Sequence, residues 1–288
     1  MASDLASTLL DTGPPLPWWQ RLVRGQDRLI HLAPLAAVLL FLAAIATAFW
    51  YLRLEEVHRE QDAVKRDVEY SQQRLRLRLL ERQEQFMRLA RDISDRDMSP
   101  MQFDIRAESL VLQYPELMAL SWIDDQRRLM ATQTSPSVPR QRAWVADGQL
   151  KRGEVLEGFD LARDLRQPVY TQPLSEKGVE PVLYMHVPIT PRAHFAGELL
   201  AEFSVDGLLR YGVPAEVVAK YAVALFDGKD QLLAGQSIPE RPGLSDRLPW
   251  SGKVNEFDIP VSPVGNGLVL RAQAWRTSQG VVGGTLFW

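Results

Sequence analysis

Cysteine is absent from all 288 residues, which excludes disulfides, thiolate metal sites, iron–sulfur clusters and cysteine nucleophiles. It leaves an oxidising compartment open, because Cys-free folds work there too. An excess of positive charge is also missing. The 33 basic and 36 acidic side chains give a net charge of −3, too little positive field for a phosphate backbone, so nucleic acid is not an expected partner. Catalytic signatures are lacking as well. The run GVVGG at 280–284 is not followed by the Lys-Ser/Thr that makes a phosphate loop. No G-x-S-x-G elbow or H-E-x-x-H pair occurs, and His58-Arg59-Glu60 has no second metal ligand in register. The expectation is a chain without enzymatic activity, cofactor or metal. With 46% apolar residues it can still bury a sizeable core.

Charge disappears altogether from Leu29 to Leu52, LIHLAPLAAVLLFLAAIATAFWYL, a run that ends on Trp50 and Tyr51. At 1.5 Å per residue it spans the ~30 Å hydrocarbon layer, with aromatics at the interface. A cleaved signal peptide is the competing reading, since Ala46-Thr47-Ala48 is an A-x-A triplet. The stretch in front is too long for an ordinary n-region, so an anchor is preferred. Arg21, Arg24 and Arg28 before the span balance Arg53, Arg59, Lys65 and Arg66 after it, so the positive-inside count does not orient it. Residues 1–28, with Pro14, Pro15 and Pro17, read as an unfolded cytoplasmic leader. Thr277 to Trp288 is again uncharged and reads as the start of a second, truncated membrane helix.

Between these ends, residues 53–93 lack Gly and Pro, and their apolar residues recur three, four or seven apart: Leu54, Val57, Val64, Val68, Leu75, Leu79, Phe86, Leu89 and Ile93. That pattern is one long amphipathic helix of about sixty ångströms. Its stripe needs cover, from the following domain, from a second copy of the chain, or from both.

From Leu117 onward the period changes to two, and an internal repeat emerges. LSWIDDQRRLMATQ (120–133) matches VALFDGKDQLLAGQ (223–236), with Asp124 and Asp227 at equivalent hairpin turns. MHVPITP (185–191) matches FDIPVSP (257–263), and GELLAEF (197–203) lines up loosely with GLVLRAQ (267–273). Each repeat is therefore a hairpin, a variable middle and two further strands, forming an antiparallel sheet with helices packed on it. The first has the longer middle, around WVADGQLKRGEVLEGFDLARDLRQPVY. Long insertions in compact domains tend to be functional, so a cavity is expected there.

The side chains in and around that insertion give a candidate ligand cluster of Trp122, Arg163, Arg166, Tyr170, Tyr184 and His186. Tyr184 and His186 are two apart and share a strand face, and Tyr170 with an arginine offers a hydroxyl and a guanidinium to a carboxylate. The same residue types also fill cores with their polar tips satisfied, or lie solvated on a surface. His186 as a pH sensor has no partner that the sequence identifies.

Taken together, the anchor, the long helix with RLRLRLLERQEQFMRLARDI, the hairpins WIDDQRRLMA and ALFDGKDQLLAG, the stretch ARDLRQPVYTQPL, and YMHVPIT followed by FAGELLAEFSVDGLLRYGVP resemble a known family. It is the extracytoplasmic input region of proteobacterial membrane-bound sensor histidine kinases of the double Cache (PAS-like) type. The resemblance implies an α+β fold: a transmembrane helix at 29–52, a long helix at 53–97, a membrane-distal PAS-like module at 98–212 that captures the ligand, and a smaller membrane-proximal one at 213–276. It further implies a homodimer through the long helix, an inner-membrane location with residues 53–276 in the periplasm, and a second membrane helix leading to a transmitter. The chain departs from the pattern by ending before any transmitter. His31, His58, His186 and His194 do not supply a phosphoaccepting site. The function expected is detection of a small ligand, in the first instance a carboxylate, and relay across the membrane. A membrane-tethered module that binds a periplasmic protein and no small ligand is the alternative.

Overall fold

The computed structural model describes residues 18–96, 98–136, 145–146, 148–150, 153–173, 180–238 and 256–275. The terminal stretch 277–288, read as a truncated membrane helix, and the first part of the leader lie outside these residues. The chain divides into two bodies, residues 1–59 and 60–288. One helix, α1 (Trp18–Arg96), is assigned through both. It starts inside the segment read as an unfolded leader, which corrects that reading for residues 18–28: after Pro17 no proline interrupts the chain until Pro34. In the first body, Pro34–Leu52 is long and apolar enough to cross a membrane, and its Leu40, Phe41 and Phe49 face outward.

In the second body, α1 supplies a buried stripe of Val64, Val68, Leu75, Leu79, Phe86, Leu89 and Ile93. Leu54, which the periodicity placed on this stripe, is exposed. Ser71 and Arg82 fall in register with the stripe and are buried with it. Ser71 Oγ donates to the Asp67 carbonyl at 2.7 Å. Arg82 donates from Nε to Glu116 at 3.2 Å and stacks 3.6 Å from the Tyr114 ring centroid. A helix hydrophobic on one stripe thus carries two polar members, each satisfied locally.

The first module opens with α2 (Pro100–Gln113), started by a capping box in which Ser99 and Gln102 exchange hydrogen bonds and Pro100 occupies the first turn. Its sheet contains β1 (Leu117–Asp124), β2 (Leu129–Thr134), β5 (Val169–Tyr170), β6 (Val182–Ile189) and β7 (Gly197–Ser204), in the order β2-β1-β7-β6-β5. A short hairpin, β3 (Val145–Ala146) and β4 (Gln149–Leu150), and α3 (Gly153–Leu165) come from the long middle. Helices α4 (Val205–Gly212) and α5 (Ala215–Lys220) lead to the second module, with β8 (Tyr221–Asp227), β9 (Leu232–Gly235), β10 (Glu256–Val261) and β11 (Gly265–Ala274) in the order β10-β11-β8-β9.

Four strands of the first sheet, β2-β1-β7-β6, thus have their counterparts in β9-β8-β11-β10, antiparallel throughout. Register corrects one detail of the repeat. Leu120 pairs with Ala201 and its counterpart Val223 pairs with Ala272, so Ala201 corresponds to Ala272, one residue on from the alignment of GELLAEF with GLVLRAQ. The hairpin turns agree to the atom. Asp124 Oδ1 accepts from the backbone N–H groups of Gln126 and Arg128 at 2.9 and 2.7 Å, and Asp227 Oδ1 from those of Lys229 and Gln231 at 2.9 and 2.7 Å. Arg127 and Asp230 both sit at φ 64°, a left-handed conformation that these carboxylate-braced turns impose on a side-chain-bearing residue. One face of each sheet contributes to a single core with α1 and α2, while the other face of the first sheet packs under α3.

Candidate functional site

The face of the first sheet beneath α3 contains Tyr184 and His186 on β6 and Leu200 on β7, closed by Val155 and Phe159 of the helix. Among the described residues this face is closed, where the long middle led to the expectation of a cavity. Gly158 lies so close that a Cβ on it would come 2.2 Å from His186 Nε2, so the helix rests directly on the imidazole. His186 Nδ1 is 3.0 and 3.1 Å from the two carboxylate oxygens of Glu198 on β7, and both side chains are fully buried. Nε2 of His186 has no hydrogen-bond partner among the described residues. Burial pushes the Glu198 carboxyl above its ordinary value; the attraction and hydrogen bond of His186 oppose this, and Asp160 on α3 adds to it. Arg127, at the tip of the first hairpin, reaches Asp160 at 2.8 Å and ties the turn to α3.

The sheet separates the six residues that the sequence grouped. Tyr184 and His186 share the α3 face, as the alternation required. Trp122 points to the opposite face, its ring 5.9 Å from that of Phe103 in α2. Tyr170 does too: its hydroxyl donates to Gln83 Oε1 at 3.2 Å, on α1. Burial pushes that phenol well above its usual value, so Tyr170 stays a neutral clasp between β5 and α1. Arg163 is held along α3 by Asp160 at 3.0 Å and Asp164 at 3.1 Å. Arg166, at φ 54° just past the end of α3, lines a separate groove with residues of α1. Tyr170 is not among the residues that line that groove.

Sequence reasoning missed Glu198, Asp160 and Arg127. Two-residue alternation along GELLAEF shows that Glu198 and Glu202 share a face, but only the β6–β7 register reveals that this face is that of His186.

No family model matches the chain, and no curated protein does. Solved structures are similar. The ligand-binding domain of the Pseudomonas aeruginosa PAO1 amino acid chemoreceptor PctB, in complex with L-Arg, superposes with a TM-score of 0.53 at 16% identity, covering 78% of this chain and 92% of that one. The ligand-binding domain of the Campylobacter jejuni chemoreceptor Tlp3, in complex with L-valine, gives 0.48 at 11% identity over 75% of this chain and 94% of that one. The extracellular domain of mmHK1S-Z2, described as a histidine kinase, gives 0.49 at 10% identity over 75% and 96%. The fold is the Cache-like double module of chemoreceptor ligand-binding domains. Identity this low carries the fold and nothing finer.

Proposed function

We propose that residues 60–275 are the signal-sensing region of a membrane-anchored bacterial receptor, taking a small carboxylate-bearing ligand in the first module. The observation that carries this reading is the shared use of α1. Its Val64–Leu75 stretch serves the second module, where Gln72 donates to the Pro260 carbonyl at 3.3 Å and Lys220 reaches Asp67 at 3.3 Å. Its later stretch serves the first module, where Phe86 meets Phe203 at 6.2 Å and Tyr170 clasps Gln83. A ligand with different affinities for two placements of the first sheet against α1 shifts that equilibrium, and the helix bears the displacement. The second module comes first along α1 after the apolar stretch, which supports the membrane-proximal assignment of 213–276 and the distal assignment of 98–212. The PctB domain, whose fold this chain shares, was solved with an amino acid bound, which supports a small metabolite over a protein partner. In this reading residues 29–52 anchor the chain in the inner membrane, residues 53–276 lie in the periplasm, two copies associate through the long helix, and the output is a histidine kinase transmitter.

The test is a thermal-shift panel of carboxylates, amino acids and related metabolites on the detergent-solubilised chain. A ligand at a hundred times its dissociation constant stabilises by about 2.7 kcal/mol, a readily visible shift. A broad panel without a hit would remove the sensing reading in favour of the protein-binding tether.

A further inference from the structure

Arg166 lines a groove of about 180 Å³ between α1 and the turn that joins α3 to β5. One wall is Met87, Ala90, Arg91 and Ser94 of α1, and the other is Arg166, Pro168 and the end of β6 with Thr190. The floor is apolar, with Ala90 and Val187 buried. Two cations face this space and no carboxylate lines it. The Nε of Arg91 donates to the Met87 carbonyl at 3.3 Å, and its terminal nitrogens have no partner among the described residues. Neither guanidinium has an ion pair with a described residue, whereas Arg163, three positions before Arg166, is held by two aspartates.

We propose that this groove is an anion site for a small carboxylate with a short apolar body and no ammonium group, and that the bound anion bridges Arg91 of α1 to Arg166 of the first module. The proposal deepens the sensing reading and rests on it. Planar guanidinium forks match a carboxylate, and the apolar floor suits a short hydrocarbon body. An α-amino acid fits poorly, because its ammonium would meet two like charges and find no carboxylate in the lining. The two walls belong to the two elements whose relative placement a sensor must read. Without an anion the like charges oppose closure of the groove, and with one they share it.

Calorimetry on the detergent-solubilised full chain, with propionate, succinate, inorganic phosphate and alanine as probes, tests this. Propionate or succinate should bind, and alanine should bind at least tenfold more weakly. Arg91→Gln and Arg166→Asn should each weaken the carboxylate at least tenfold. Asn tolerates the left-handed backbone at 166, so the fold is kept. Arg163→Gln, outside the groove, should leave binding unchanged. Carboxylate binding that ignores both groove variants, phosphate binding in place of carboxylate, or alanine binding as tightly as propionate would overturn the site while leaving a sensor in place. If no member of this set binds but the wider metabolite panel gives a hit, the site falls alone. If neither set gives binding, the sensing reading falls with it.

Discussion

The two modules share strand order, hairpin bulge and the Asp-braced turn, yet the residue at the tip of that turn has opposite charge. In the first module it is Arg127, which reaches across to Asp160 on α3. In the second it is Asp230, which takes Arg271 of β11 at 2.8 Å. Arg271 also holds Asp258 and Glu256, at 2.7 and 2.9 Å, and stacks 4.2 Å from the centroid of Phe226. Its counterpart by register is Leu200, buried under α3, and the counterpart of Asp258 is His186. One scaffold therefore has two solutions on the corresponding face. Where a helix covers it, the row is apolar with a buried His–Glu pair; in the second module the row is an arginine among three acids, of which Asp230 is largely exposed. The hairpin is scaffold and the row beneath it is where the modules diverge.

The divergence is broken most severely by unseating α3. Phe159 is fully buried between the helix and the sheet and edge-on to Phe195 at 5.4 Å. Phe159→Ala should cost about 3–5 kcal/mol, seen in denaturant unfolding. Hydrogen exchange should rise across β6 and β7 and leave β8 and β11 protected; equal deprotection of both sheets would show that the modules open as one unit. Gly158→Ala acts on the same contact by overfilling it. The new methyl meets His186 Nε2, and about 1–3 kcal/mol should be lost despite the better helix propensity of alanine.

A matched pair sharpens what is common. Asp124→Ala and Asp227→Ala each remove a carboxylate that braces two backbone N–H groups of an exposed turn. Each should cost about 1 kcal/mol by the same unfolding measurement, equal within about 0.5, because the lost bonds have the same lengths and solvent replaces them in both. A clear inequality would mean that the turns are alike in geometry and not in the load they bear.

Periodicity made much of this legible. The α1 stripe, both hairpins and the succession of strands along the chain follow from period and turn chemistry, since these depend on residues near one another in sequence. The stripe was read with gaps at 71 and 82, because Ser71 and Arg82 become core only through partners, the Asp67 carbonyl and Glu116, that a hydropathy pattern does not score. The candidate site was less legible for a similar reason. Trp122 and Tyr170 lie close in the chain to residues they do not face, and a sheet assigns sides by register across strands far apart in sequence. The Arg91–Arg166 groove was half visible: Arg166 was singled out, but its neighbour comes from a helix that the periodicity treated as scaffold.

The buried pair offers a change that varies with pH, and with it the sharpest sign. Burial dominates at Glu198 and raises its pKa, so the folded state holds the proton more firmly than the unfolded chain does. The facing groups are His186 across the strands, which pulls the other way, and Asp160 of α3, which Arg127 holds in place. A carboxyl raised in this way contributes stability that is complete below the unfolded value of about 4.3 and is lost as pH rises through the folded value. Glutamine at 198 is neutral at every pH and escapes that loss. The stability of Glu198→Gln relative to the parent should therefore climb as pH increases from 4 and level off above the raised pKa, measured by urea midpoints at each pH. A relative stability that instead falls as pH rises toward about 4.3 and is flat above it would mean that the attraction of His186 outweighs burial at Glu198.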